Sequence, residues 1–370
     1  MADLFDYLDW RGDLSFGNAP LCPVDALVFS VLAYVRLEKY VPAAFDAQPV
    51  RLCDAAAAYL ADNTDAPDSN HRRFLEKAAA SVRFGGLRLF GARQELDRER
   101  GIQFAAYSVL LPSQNIFVAF EGTDNTLVGW QEDFRMSYEC PVPAQLRAMQ
   151  YLRAVASAHP LRRLFVGGHS KGGNLAMYAA VYSGEAIRPR IRRVFNNDGP
   201  GFCDNTVSSV EYLDIRDRIS SYLPQSSIVG VLLEHDDNYK VVKSTAKGLF
   251  QHDPYSWEIL GNDFLYTEER TAFGERTEAI IDHFINTLSP ERRRRFGEAL
   301  FTILDATEQD TLSGIAANKV QSVKSAMRSF SLLDPEVREL LAETLEALGQ
   351  SNKAIRRAAK KSASALPAAE

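Results

Sequence analysis

The sequence is short of several things that would have assigned it quickly. Its four cysteines, Cys22, Cys53, Cys140 and Cys203, form no C-x-x-C pair, and its six histidines do not cluster at metal-ligand spacing. No metal, nucleotide or redox cofactor is therefore expected, and the cysteines read as reduced thiols. No run approaches the roughly 20 apolar residues of a membrane-crossing helix, so lipid chemistry would be done on soluble or peripheral substrate. Positive charge is also lacking. The net charge of −6 gives no field that would gather nucleic acid or an anionic surface, and the basic stretches at 188–193, 292–295 and 356–361 are short enough to be solvated faces. The first twelve residues carry Asp3, Asp6 and Asp9 where a secretory signal would place basic residues and then an apolar run, which favours the cytoplasm.

What is present is 370 residues of ordinary globular composition, 46% hydrophobic and 24% charged, enough for one large domain with an appendage. Helical spacing marks 24–41, through Leu27, Val28, Val31, Leu32 and Val35, and recurs at 55–60 and 74–82. Strand-like runs follow at 84–90, 103–111 and 115–120, the last two as a hairpin about Pro112-Ser113-Gln114. A helix is expected over 143–159, then strands at 164–168, 192–196, 219–223, 228–233 and 239–243. Strands alternating with helices imply a mostly parallel sheet covered on both faces. Beyond about Asn286 the pattern turns helical and polar, at 294–305, 320–330 and 335–348, with a frayed tail over 353–370. The expected organisation is a 1–286 domain with a helical N-terminal region and a 287–370 helical extension.

The chemistry concentrates in Gly168-His169-Ser170-Lys171-Gly172, preceded by the apolar run Leu164-Phe165-Val166 and followed by a helix rich in Ala, Leu and Met. A serine at the apex of a sharp strand-to-helix turn needs glycine two positions to either side, and this is the nucleophile elbow of an α/β-hydrolase. Such a serine needs a histidine base, and the base needs an acid. His169 adjoins the nucleophile and points elsewhere; His71 and His159 precede it, against the usual chain order of serine, acid and histidine. Of the remainder, His252 lies in a turn after the last strand-like region, His235 in a polar loop, and His283 within a helical pattern. His252 is the expected base. Asp198, in the turn Asn197-Asp198-Gly199-Pro200-Gly201, is the expected acid, with Asp236 and Asp237 as alternatives. For the oxyanion, Lys171 N–H would be one donor, and the loop Glu121-Gly122-Thr123-Asp124 would supply another.

Together these residues resemble the class 3 lipase branch of the α/β-hydrolases, in which a strand ending F-R-G-T and a W-x-x-D run precede a G-H-S-x-G elbow. Here the runs are Phe120-Glu121-Gly122-Thr123, Trp130-Gln131-Glu132-Asp133 and Gly168-His169-Ser170-Lys171-Gly172. The opening Tyr7-Leu8-Asp9-Trp10-Arg11-Gly12-Asp13, the Asp198-Gly199-Pro200-Gly201 turn and His252-Asp253-Pro254 are more closely similar to an uncharacterised bacterial lipase-like family. The resemblance implies Ser170 as nucleophile, Thr123 as an oxyanion-hole residue and His252 as base. Trp130 and Asp133 are expected to brace the loop beneath the site and not to touch substrate.

Two departures stand out. Glu121 replaces the arginine of the lipase pattern, making the oxyanion loop more negative. The D-x-V-P run that carries the lipase acid is Ser226-Ser227-Ile228-Val229-Gly230 here, without a carboxylate. The expected function is cytoplasmic hydrolysis of a small-molecule or lipid ester through an acyl-enzyme, with peripheral membrane contact compatible with it. The alternative is a hydrolase scaffold that has lost catalysis and binds a ligand or protein.

Overall fold

The computed structural model describes residues 1–64, 69–203, 205–339, 341–343 and 346. The chain opens with α1 (Leu4–Arg11), whose first turn is closed by a capping box between Asp3 and Asp6. Next come α2 (Pro23–Leu32), with proline in its first turn, the short β1 (Val50–Arg51), α3 (Leu52–Asp62) and α4 (Asn70–Ala80). Strands β2 (Arg88–Asp97), β3 (Ile102–Leu111) and β4 (Asn115–Phe120) form an antiparallel meander. Helices α5 (Leu127–Arg135) and α6 (Pro143–Ala158) then lead into β5 (Arg163–His169), α7 (Lys171–Val181) and β6 (Ile191–Asn197). After α8 (Val210–Ile215) come β7 (Ile219–Pro224) and β8 (Tyr239–Val242), the small hairpin of β9 (Ile259–Leu260) and β10 (Asp263–Phe264), and β11 (Tyr266–Thr267). Helices α9 (Ala272–Thr287), α10 (Pro290–Asp305), α11 (Leu312–Ala317) and α12 (Lys319–Leu332) follow.

Among the described residues the main sheet has nine strands, in the order β1-β2-β3-β4-β5-β6-β7-β8-β11. Its centre, β4 to β8, is parallel; both flanks are antiparallel. The two faces can be read from β4 alone. Successive side chains of a strand point to opposite faces. Phe117 and Ala119 accordingly join the core built with α2, α3 and α4, while Ile116, Val118 and Phe120 join the core under α6 and α7. This is an α/β-hydrolase-like mixed sheet, parallel at its centre and covered on both sides. A third, smaller core holds α10 against α5, through Phe296 and Ala299 packed with Phe134.

Several expectations are corrected. The helix expected over 24–41 stops at Leu32, and the chain then turns so that Tyr34 and Arg36 reach toward the elbow and the loop after β4. The strand expected over 84–90 begins only at Arg88. The apolar run 228–233 is no strand: Val229–Val231 is a 3-10 turn, because the loop is drawn around the buried Asp198. The cysteines are not all reduced. Cys140 and Cys203 are disulfide-bonded with Cα atoms 6.3 Å apart, and only Cys22 and Cys53 are free. Spacing could not reveal a pair joined across 63 residues. The tail over 353–370 and part of the helix expected over 335–348 lie outside the described residues. No helix of the described residues is long and apolar enough to cross a membrane.

Candidate active site

The site is built where the parallel strands end. Ser170 follows β5 directly and has φ +59° and ψ −135°, a left-handed conformation that L side chains seldom adopt. Neighbouring backbone holds it there: Ser170 N–H donates to Asn197 O at 3.0 Å, and Gly173 N–H to Ser170 O at 2.8 Å. The two flanking glycines are needed for space. A Cβ at Gly168 would lie 2.2 Å from the Gly172 carbonyl carbon, and one at Gly172 would lie 2.3 Å from Phe120 O. Ser170 itself is only 7% exposed.

His252 comes from a 3-10 turn after β8, and Asp198 from the turn that ends β6. His252 Nδ1 is 2.6 Å from Asp198 Oδ2. The carboxylate is fully buried, and its other oxygen accepts from the Ser227 hydroxyl and from Gly230 N–H at 3.2 Å. The loop that lacks the lipase acid thus supplies donors to an acid from the preceding strand. The other candidates are engaged elsewhere. Asp236 pairs with Arg216, which lowers its pKa, Asp237 is exposed, and His235 Nδ1 is 3.0 Å from Leu233 O. His71 bonds the Tyr255 hydroxyl at 2.9 Å and His159 the Phe45 carbonyl at 3.0 Å. The side chain of His283 is outside the described residues.

His169 has a more specific place than its sequence position suggests. Its Nε2 is 2.8 Å from His252 O, and its Nδ1 is 3.0 Å from the Tyr34 hydroxyl. Burial, helped by the nearby His252, holds its pKa well below the ordinary histidine value, so the ring is neutral. A carbonyl can only accept, so Nε2 carries the proton and Nδ1 accepts from Tyr34.

The loop after β4 lies against the elbow. A Cβ at Gly122 would approach Tyr34 Oη to 2.1 Å, His169 O to 2.4 Å and Ser170 Cβ to 3.0 Å, so only glycine permits this contact. Thr123 Oγ1 donates to Asp133 Oδ2, which leaves the Thr123 backbone N–H as its group for an oxyanion. Lys171 N–H opens α7 and, as the first helical amide, has no partner within the helix. Its side chain is buried: Nζ donates to Glu132 Oε2 at 3.0 Å and to Gln103 O at 2.8 Å, joining elbow, α5 and β3. Glu132 also accepts from Gln103 N–H and Ala144 N–H.

The negative charge expected from Glu121 is compensated. Arg36 Nη1 lies 2.9 Å from Glu121 Oε2 and its Nη2 lies 3.1 Å from Asp124 Oδ2. Burial nevertheless pushes Glu121 up to about 7, against the pull of Arg36, and Asp133 up to about 6.

Ser170, Lys171, Asp133 and His252 open on a cavity of about 480 Å³. Its remaining wall is mostly apolar. Trp130, Phe134 and Met136 come from α5 and its end, Val229, Leu232 and Leu233 from the turn beyond β7, and Ile281, Ile285, Leu300, Phe301 and Leu304 from α9 and α10. Asp133 holds Thr123 of the loop after β4, and Trp130, 43% exposed, lines the cavity beside it. The part of the wall given by α9 and α10 had no signal in the sequence beyond helical periodicity.

A family model described as Mbeg1-like matches residues 78–302, from the end of α4 to within α10. The chain belongs to the Mbeg1-like family. This Mbeg1-like protein is also distantly similar to several solved structures. The M37 lipase is 14% identical with a TM-score of 0.39, covering 56% of this chain and 69% of that one. An MDLA N225Q mutant from Penicillium cyclopium is 12% identical with a TM-score of 0.40, covering 67% and 85%. Lipase II from Rhizopus niveus is 15% identical with a TM-score of 0.36, covering 66% and 86%. Likenesses this distant assign no residue a role. No curated protein sequence matches significantly.

Proposed function

We propose that the protein is a serine hydrolase that cleaves an ester with an apolar acyl group through an acyl-enzyme. The observation that carries this reading is the strained Ser170 on an apolar cavity that it shares with His252, whose Nδ1 is 2.6 Å from the buried Asp198.

In this reading Ser170 Oγ attacks the ester carbonyl carbon as His252 Nε2 removes the hydroxyl proton, and Asp198 accepts from Nδ1–H, fixing the tautomer and stabilising the imidazolium. The tetrahedral oxyanion is held by Lys171 N–H and Thr123 N–H, donors whose removal typically costs on the order of 10²–10³ in rate. His252 then protonates the leaving alkoxide, and water, activated by the same histidine, releases the acid and regenerates Ser170. The apolar wall would receive the acyl chain. A lipid ester fits that wall, and substrate would reach it from solution or from a membrane surface.

Two features had favoured a non-catalytic binding scaffold: Glu121 and the carboxylate missing from 226–230. The Arg36 contact with Glu121 and the Asp198 contact with His252 both support the catalytic reading instead. Placement in the cytoplasm has to accommodate the Cys140–Cys203 disulfide, a bond kept more often in oxidising compartments.

The test is intact-mass analysis after fluorophosphonate treatment of wild type, Ser170→Ala and His252→Ala. One adduct is expected on wild type, none on Ser170→Ala, and slow or no labelling of His252→Ala. An unlabelled, folded wild type would defeat the reading. A p-nitrophenyl ester series should then favour acyl chains longer than acetyl, as the apolar wall requires.

A further inference from the structure

The loop Glu121-Gly122-Thr123-Asp124 is held from a part of the chain that neither the elbow nor the family match includes. Tyr34 and Arg36 stand on the turn after α2, well before residue 78, where the Mbeg1-like match begins. Arg36 spans the loop like a fork, with one nitrogen 2.9 Å from Glu121 and the other 3.1 Å from Asp124. Gln103 adds a second hold on the loop, its Nε2 3.1 Å from Glu121 Oε2 and 3.2 Å from Gly122 O. Tyr34 occupies the gap between loop and elbow. Its hydroxyl contacts His169 at both Nδ1 (3.0 Å) and the carbonyl oxygen (3.3 Å), and it sits where any side chain at position 122 would have to go.

One side chain therefore touches three parts of the site. Through Gly122 it sets how closely the loop approaches Ser170. Through His169 O it meets the backbone of the elbow, and through the His169 ring it reaches His252 O. Catalytic geometry is sensitive on this scale, because a displacement of about 1 Å can cost on the order of a hundredfold in rate.

We propose that Tyr34 and Arg36 are positioning residues of the hydrolase: Arg36 fixes the oxyanion loop by its fork on Glu121 and Asp124, and Tyr34 sets the spacing between that loop, the elbow and the backbone of His252. The proposal rests on Ser170 being the nucleophile. Neither residue touches substrate; each acts through groups that do. It follows that the N-terminal helical segment is part of the catalytic apparatus, and that residues 78–302 alone would lack the support of their own oxyanion loop.

The test uses the full chain with Tyr34→Phe, Arg36→Met and the double variant Arg36→Met/Glu121→Gln. The double variant removes the buried carboxylate that the loss of Arg36 would strand, so it keeps a folded protein available for measurement. Two rates are read: labelling of Ser170 by a fluorophosphonate, and hydrolysis of p-nitrophenyl butyrate resolved into kcat and KM. In Tyr34→Phe and the double variant, kcat and the labelling rate should each fall by about ten- to a hundredfold with KM nearly unchanged, because the loop contributes to the transition state more than to ground-state binding. Folded variants that keep wild-type kcat and labelling, or a loss confined to KM, would overturn the proposal while leaving Ser170 as nucleophile. Failure of wild type to label would remove both together.

Discussion

His169 Nε2 lies 2.8 Å from the carbonyl oxygen of His252, so the residue beside Ser170 holds the backbone of His252. The neutral ring spends its single proton on that contact, and it has no other donor to offer. Replacing it with alanine removes the tether while leaving Ser170 and the His252 side chain intact. His169→Ala is expected to slow fluorophosphonate labelling by about ten- to a hundredfold with the far-ultraviolet circular dichroism unchanged. Labelling at the wild-type rate would show that the turn bearing His252 holds itself in place.

Asp198 and Asp236 make opposite predictions. Asp198 touches His252, so Asp198→Asn, which disturbs the tautomer, should reduce kcat by on the order of 10³–10⁴. Asp236 faces Arg216, so Asp236→Asn should leave kcat within about twofold. Steady-state hydrolysis of one activated ester decides the assignment, and the reverse ranking would move the acid to the other loop.

Stability should carry a pH signature from Glu121. Burial raises it from 4.5 to about 7, so the folded chain holds this proton more tightly than the unfolded chain does. Between about pH 4.5 and 7 the native state binds the extra proton, and the contribution of Glu121 to stability falls as pH rises, levelling off above that window. Asp133 acts in the same direction between 3.8 and about 6. Urea unfolding of wild type and Glu121→Gln across this range should show the variant gaining relative to wild type as pH increases. A difference independent of pH would mean that Glu121 is not held protonated by its burial.

The disulfide between Cys140 and Cys203 closes a separation of 63 residues that contains the whole elbow. Constraining the unfolded chain over that length contributes roughly 4 kcal/mol. Alkylation under denaturing, non-reducing conditions should modify Cys22 and Cys53 alone, and Cys140→Ser with Cys203→Ser should lower unfolding free energy by up to that amount. Four alkylated cysteines in the untreated protein would show that the pair is reduced.

How much of this could be read from the sequence depended on distance along the chain. The elbow is a local object: apolar strand, glycine-flanked serine and helix are consecutive, and each leaves its own mark. His252 and Asp198 were approachable because chain order and turn residues narrow the choice, although only the folded loop brings Ser227 and Gly230 to the acid. The run 228–233 misled because apolar periodicity records burial without saying whether a strand or a wrapped turn provides it. The fork of Arg36 on Glu121, the tether from His169 and the disulfide were invisible. Each joins residues whose separation, 85 positions for Arg36 and Glu121, leaves no pattern in a single sequence.

Ile259 N–H donates to Ala2 O at 2.9 Å, so the beginning of the chain is clipped to its last third. During synthesis this bridge forms only after the segment that carries Ile259 has been made, whereas α2 meets β4 and β5 sooner. Tyr34 and Arg36 must wait, close to their strands but without the turn that carries His252. Such long-range closures slow folding, because loop entropy is lost before the contacts that offset it can form. In the proposed reading they also mean that the site is complete only late, once the turn that carries His252 has joined the segment that carries Tyr34 and Arg36.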